Sequence, residues 1–392
     1  MKAAIQREPS STDVVITTVN ARATQTQYST SSEYNLMVLS LLRQSARGGN
    51  AESLARLGAM HACGDGVPKH YRAARALLRR AADKGHPLAL YNLGVMYAHG
   101  YGIDVNPEVA FNCYLKAAGL GNLDALNNLA VCYQNGFGCV RSLDLAFEKF
   151  REAAGRGHVI ALSNCGYMKE LGLGTNLDEQ EAIGFYRTAA DRGCVEAAYN
   201  LGRLYIFTTT FYCDFSLGRE ELLKAAKIGS GDAYNLLGCI EYKGFKVNRD
   251  YGQALKYFQE AERLANPAAL NNLAWLYQHG YGVPMDLARA VEYYTRSTQA
   301  GYSSAQCNLG YLYFQGLGVE KNLALAHELF QQSVAAGNPT AMFNLALLHL
   351  DQEHSYYDAD RAAALLKKCA LAGIAEARQL LEKPQPEQIQ RA

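Results

Sequence analysis

Along most of the chain, apolar residues recur at the three- and four-residue spacing of an amphipathic helix, and the pattern returns every 36 residues. LYNLGVMYAHGYGI from Leu90, ALNNLAWLYQHGYGV from Ala269 and AQCNLGYLYFQGLGV from Ala305 are in phase. A register beginning at Ala51 gives nine consecutive units of 36 residues ending at Ile374, with no insertion or deletion. Each unit reads as two helices. In the first, position three is Ala in eight units (Ser53 in the first) and position eight is always Gly or Ala, while a large residue such as Tyr97, Tyr133 or Tyr277 often stands at position eleven. Small residues at this spacing admit a neighbouring helix, and the large one fills the remaining space.

A glycine pair then ends the first helix in six units, as at Gly100/Gly102 and Gly280/Gly282. Position twenty is Asn, Ser or Asp in eight units, from Asn106 to Asp358, which predicts the N-cap of a second helix. That helix carries Tyr114, Phe150, Tyr186, Phe258, Tyr294 and Phe330 on its apolar face, and a glycine near the unit's end stops it. Pro87, Pro267 and Pro339 suit the first turn of the helix that follows.

The pattern Ala-x-x-x-Leu-Gly-x-x-Tyr-x-x-Gly-x-Gly-Val, followed by Ala, an aromatic, Ala-Ala and Gly, resembles the Sel-1-like repeat family, kin of tetratricopeptide repeats. The resemblance covers residues 51–374, with flanking helices expected at about 35–48 and 375–382. It implies an all-α fold: a right-handed α-solenoid, or superhelix, of nine antiparallel helix pairs. It also implies a role as scaffold or adaptor in protein complexes. A regulatory subunit that activates a separate enzyme, and an exported bacterial envelope or host-interaction protein, are the other roles known among relatives. Residues 1–34, rich in Ser and Thr without a helical stripe, are expected to form a disordered tail, residues 35–382 the solenoid, and residues 383–392 a polar C-terminal tail.

Charge and chemistry narrow the function. The 392 residues carry 38 basic and 37 acidic side chains, a net charge of +1, which speaks against a dedicated nucleic-acid binder or a polybasic membrane-surface protein. No run of apolar residues is long enough for a transmembrane helix, and Arg7 and Glu8 stand where a signal peptide needs its apolar centre. The ten cysteines include no CxxC and no pair locked to the repeat, so they read as free thiols in a reducing, cytoplasmic compartment. Signatures of metalloproteases, P-loops, α/β-hydrolases and kinases are missing, and the GxG pairs follow no strand. The expectation is a protein without catalytic residues, cofactor or metal, whose partner is another protein or a peptide.

Two columns are candidates for holding that partner. Position six is Asn in seven units, including Asn128, Asn164, Asn200, Asn272 and Asn308. If it faces the concave groove expected of such a superhelix, the amides can pair with the backbone of an extended peptide; equally, they can bond between adjacent helices. Position nine places Tyr167, Arg203, Trp275 and Tyr311 beside them, either as anchors for a ligand or as packing. The fifth and ninth units lack the glycine pair. In the fifth, IFTTTFYCDF calls for a longer helix or a rebuilt loop, and Phe207, Phe211 and Tyr212 make it a second candidate recognition site, the other reading being a drifted loop.

Overall fold

Each repeat closes as a helix pair because a small residue in its first helix lies under a large buried one in its second. In the computed structural model, which describes residues 32–351 and 355–382, a Cβ added to Gly94 would sit 2.6 Å from Cε1 of Tyr114, and one on Gly238 2.5 Å from Cε1 of Phe258. Alanine stands in the same place at Ala130 and Ala274, and Phe150 and Tyr294, the large residues of their repeats' second helices, are fully buried.

The described residues form helices joined by turns, without a strand, and group into two units, Met1–Ala197 and Ala198–Ala392. The first holds α1 (Ser32–Arg47), α2 (Ala51–Cys63), α3 (Tyr71–Ala82), α4 (Pro87–His99), α5 (Pro107–Gly119), α6 (Leu123–Asn135), α7 (Leu143–Gly155), α8 (Val159–Leu171), α9 (Glu179–Asp191) and the start of α10 (Val195–Phe207). The second holds the rest of α10, then α11 (Phe215–Lys227), α12 (Gly231–Lys243), α13 (Tyr251–Arg263), α14 (Pro267–His279), α15 (Leu287–Gln299), α16 (Ser303–Gln315), α17 (Leu323–Ala335), α18 (Pro339–Leu350), α19 (Ala359–Leu371) and α20 (Ala375–Glu382). Within each unit, successive helices pack on one another in chain order. The chain is thus an all-α helical-repeat solenoid. The first described helix begins at Ser32, three residues inside the tail expected at 1–34; residues 1–31, the tail expected at 383–392 and residues 352–354 of the ninth unit's turn lie outside the described residues.

Caps define both helices of a pair. The side chains of Asn106, Ser142, Asp178, Asp214, Asp250, Asp286, Asn322 and Asp358 accept from the backbone N–H three residues on, as the position-twenty pattern predicts. The first helices have caps that sequence reasoning missed: Asn50, just before the first unit, and Asn122, His158, Ser230, Asn266 and Asn338, at the last position of the preceding unit, do the same. Each cap contributes about 1 kcal/mol to its helix.

The second glycine of the pair is required by a neighbour as well as by its own backbone. Gly138 and Gly174 have φ of 72° and 63°, and a Cβ on either would lie 2.1 Å from a carbonyl oxygen at the start of the previous repeat's second helix, that of Pro107 or Leu143. The sixth repeat breaks the rule: Lys246 occupies this position at φ 57°. Its ammonium lies 5.8 Å from the ring centres of both Phe215 and Phe245.

Candidate functional site

Position six turns inward enough for its amide to reach the next helix. Asn272 Nδ2 donates to Asn235 Oδ1 at 2.8 Å, Asn308 Nδ2 to Asn271 Oδ1 at 2.9 Å, and Asn271 Nδ2 to Asn272 Oδ1 at 3.5 Å. These bonds form a zigzag of amides along the first helices of repeats six to eight. In the first unit Asn164 Nδ2 donates to Asn127 Oδ1 at 3.1 Å, and Asn127 Nδ2 to Asn128 Oδ1 at 3.4 Å. Asn344 ends the column on the Cys307 sulfur at 3.4 Å. Asn128 is buried, whereas Asn164, Asn200, Asn272 and Asn308 are half-buried. Position five of the preceding repeat supplies the acceptor, a partner residue that reading position six alone did not reveal. An amide has two N–H donors and two acceptor sites, so the zigzag leaves capacity on its half-buried members.

The aromatic column is more open. Tyr167 is 41% exposed, Trp275 37% and Tyr311 39%, while Arg203 is half-buried. Trp275 does not stand alone. Its indole Nε1 donates to Tyr242 Oη at 2.8 Å, and its ring lies 4.0 Å, centre to centre, from that of His279. His279 stacks on Tyr281 at 5.5 Å, and Tyr281 on Tyr251 at 4.8 Å. Burial pushes the Tyr242 phenol up, against the indole bond that favours its ionised form. Phenol and indole therefore meet as neutral donor and acceptor. Sequence reasoning named Trp275 and missed Tyr242 and His279, although the first stands one repeat back at position twelve and the second one helical turn onward.

The Thr-rich turn resolves as a rebuilt loop. Helix α10 stops at Phe207 like its counterparts. The Thr208 hydroxyl accepts from Thr210 N at 3.2 Å, and the Thr210 hydroxyl from Tyr212 N at 3.4 Å, so side chains satisfy backbone donors in place of a glycine turn. Phe207 faces Phe245, ring centres 5.4 Å apart, and is half-buried. Phe211 is 87% exposed and its ring lies tilted against that of Tyr212, centres 4.0 Å apart. Cys213 is exposed, with Lys246 Nζ 3.2 Å from its sulfur. The loop's three aromatics are thus divided: Phe207 and Tyr212 are half-buried and Phe211 is exposed.

Among the described residues there is no group of three or more His, Cys, Asp or Glu side chains placed to hold a metal ion, and no helix is long and apolar enough to cross a membrane. All ten cysteines are free thiols. Burial pushes Cys132 and Cys165 up to about 12 and Cys307 to about 11, so these three stay as unreactive thiols at neutral pH.

The Sel1 repeat model matches nine times, at residues 51–86, 87–122, 123–158, 159–194, 195–208, 231–266, 267–302, 303–338 and 339–374. The matches keep the 36-residue register, and the fifth stops where the Thr-rich loop begins. No curated protein matches the chain. Among solved structures, a protective antigen with an SLR fold, present in uropathogenic Escherichia coli strains, is 30% identical over 88% of this chain and 74% of its own, with a TM-score of 0.53. A Sel1 repeat protein from Oxalobacter formigenes is 26% identical over 78% of this chain and 90% of its own, with a TM-score of 0.55.

Proposed function

This chain belongs to the Sel1 repeat family, and from that premise we propose that it is a non-catalytic adaptor that holds an extended segment of a partner protein on the first-helix face of its repeats. Folds of this kind generally serve as protein-interaction scaffolds. The observation that carries the reading is the exposure of Trp275 and Tyr311, which occupy the same position one repeat apart, in an array whose described aromatics are mostly buried or half-buried. Stacking side chains of low conformational entropy are suited to anchoring a ligand. The half-buried Asn272 and Asn308 beside them offer amide groups to a peptide backbone, with Asn200 and Arg203 at equivalent positions. Asn128, Asn164 and Tyr167 repeat the arrangement in the first unit.

Panning a combinatorial peptide library against the full chain tests this. Selected peptides should change Trp275 fluorescence on binding, and Trp275→Ala with Tyr311→Ala should weaken them at least about tenfold with little loss of thermal stability. Peptides that bind the double variant with full affinity would remove the site from this face and turn attention to Phe211 and Tyr212.

The reading places the protein in the cytoplasm, on the strength of its ten free thiols. A second reading, an exported protein in contact with a host, is favoured by its likeness to the Escherichia coli antigen. Alkylation of protein from its native source, under non-reducing conditions, separates the two: ten modified cysteines support the first, specific disulfides the second.

A further inference from the structure

A cleft of about 620 Å³ opens in the first unit between α3 and α5, with α4 as its floor. Its size falls within the range of ~300–1,000 Å³ typical of ligand sites. Leu90, Leu93 and Val109 give it an apolar base, and Arg75, Arg79 and Lys116 stand on its walls, with the exposed Asp83 as the acid at its edge. No carboxylate among the described residues pairs with any of the three cations. They sit in a locally basic stretch: between Arg43 and Lys84 there are nine Lys or Arg and three Asp or Glu, a bias hidden by the balanced total.

The repeat explains why the cleft is open and what it lacks. Arg75 stands at position 25 of its unit, where five other repeats place the large apolar residues Phe111, Phe147, Ile183, Leu255 and Val291, and two more place His327 and Ala363. That position meets position eleven of the next repeat, as Phe111 meets Tyr133 at a ring-centre distance of 5.4 Å. Only one other repeat puts arginine there. Arg219 Nη2 donates to Glu241 Oε1 at 2.9 Å, and Glu241 is buried at position eleven. The counterpart of Glu241 for Arg75 is Tyr97, which lines the same cleft and carries no charge. The fold therefore provides the guanidinium in both places but the carboxylate in only one. Guanidinium groups match carboxylates in planar, two-pronged geometry, so the chemistry missing beside Arg75 is an acid.

We propose that the cleft between α3 and α5 docks an acidic segment of a partner protein, with a carboxylate on Arg75 and Arg79 and a neighbouring apolar side chain on Leu90, Leu93 and Val109. Charge complementarity selects the acid. The apolar floor selects a protein segment over a nucleic-acid backbone, which would make no use of it. The cleft uses positions four, seven and eleven of α4 rather than the position-six and position-nine columns, and it stands whether or not those columns bind peptide.

The test uses the full chain and a fluorescein-labelled amphipathic peptide built from Glu and Leu, followed by anisotropy. Binding is expected to weaken with added salt and to fall at least about tenfold for Arg75→Gln with Arg79→Gln, as for loss of a charge-assisted hydrogen bond. Tyr97→Glu should have the same effect by supplying the internal acid, as Glu241 does for Arg219. Lys116→Gln, on the opposite wall, gives an independent third variant, and melting temperatures identify any that misfold. The proposal is overturned if the wild-type chain does not bind the peptide, if Gln in place of Glu binds as well, or if correctly folded variants keep full affinity. Tighter binding of oligothymidylate or phosphatidylserine vesicles through the same arginines would also overturn it, in favour of a different partner.

Discussion

The indole nitrogen of Trp275 donates to the phenol oxygen of Tyr242, 2.8 Å away and one repeat earlier in the chain. The bond fixes an exposed side chain that would otherwise be free to change rotamer. It also ties the orientation of an exposed anchor to the stacking of two repeats, because the two residues lie on α14 and α12. A ligand that leans on Trp275 thus meets a surface ordered before binding, and less ordering entropy opposes the complex.

Tyr242→Phe separates this ordering from the contact itself. It keeps the ring beside Tyr251 and Tyr281 and removes only the acceptor. Affinity for a peptide ligand should fall several-fold, a cost of roughly 1 kcal/mol for one neutral hydrogen bond, while Trp275→Ala should cost about 2 kcal/mol or more. Titrations followed by tryptophan emission or, for the Ala variant, by labelled peptide give both numbers. Equal losses for the two substitutions would mean that Tyr242 contacts ligand directly.

The amide zigzag carries a stability prediction. Asn272 gives its Nδ2 to Asn235 and lies 3.5 Å from the Cys239 sulfur. Asn272→Ala should destabilise the chain by about 1–2 kcal/mol, because it leaves the half-buried Asn235 carbonyl without its donor. Asn235→Ala should cost less, and the pair together less than the sum. Urea unfolding with the complete cycle measures this. Additive losses would show that the bond contributes no coupling between repeats.

The elements of the fold were legible in the sequence because they depend on contacts within one repeat. The small residue at Gly94 and the large one at Tyr114 lie in one unit, as do the position-twenty cap at Asp286 and the N–H it bonds. What escaped were particular contacts between repeats, such as Arg219 to Glu241, Trp275 to Tyr242 and the position-five partner Asn235 of Asn272. Their spacing is set by how one unit stacks on the next, which no single helix pattern encodes. Of the candidate ligand residues, position six and position nine could be selected by their recurrence. Which asparagines bond a neighbouring helix and which are left for a ligand stayed open, since both uses have the same residue type and spacing.

Acid should loosen the end of the array. Burial holds His327 below its usual value of 6.5, and His349 and Arg361 add repulsion against its charged form. Its ring lies 5.6 Å from that of His349 and stacks on Tyr356 at 4.7 Å, while His349 Nδ1 is bonded to the Tyr356 carbonyl. A histidine with a depressed folded pKa binds its proton more readily in the unfolded chain. The stability it gives is therefore complete above pH 6.5 and is lost as the pH falls through the lower folded value. The melting temperature should decline between about pH 7 and pH 5, and His327→Gln should flatten that decline. Hydrogen exchange should show the loss concentrated in α17 to α19. An unchanged slope in the variant would assign the acid sensitivity to other groups.

The two kinds of residue at the second turn position make a final, opposed pair of predictions. Gly138 combines a left-handed backbone with a carbonyl oxygen where its Cβ would be. Gly138→Ala must distort the contact with Pro107 as well as adopt an unfavourable φ, and should cost ~3 kcal/mol or more. Lys246 has already accepted the backbone term, at φ 57°. Replacing it by glycine relieves about 1 kcal/mol of strain. Against that, the unfolded chain gains freedom worth about 0.4–1 kcal/mol, and the contacts of the ammonium with Phe215 and Phe245, worth roughly 0.5–1 kcal/mol, are lost. The net change for Lys246→Gly should therefore lie within about 1 kcal/mol of zero. Chemical denaturation of the two variants decides it. A severe loss for Lys246→Gly would mean that the lysine side chain, together with its 3.2 Å approach to Cys213, holds the Thr-rich loop in place.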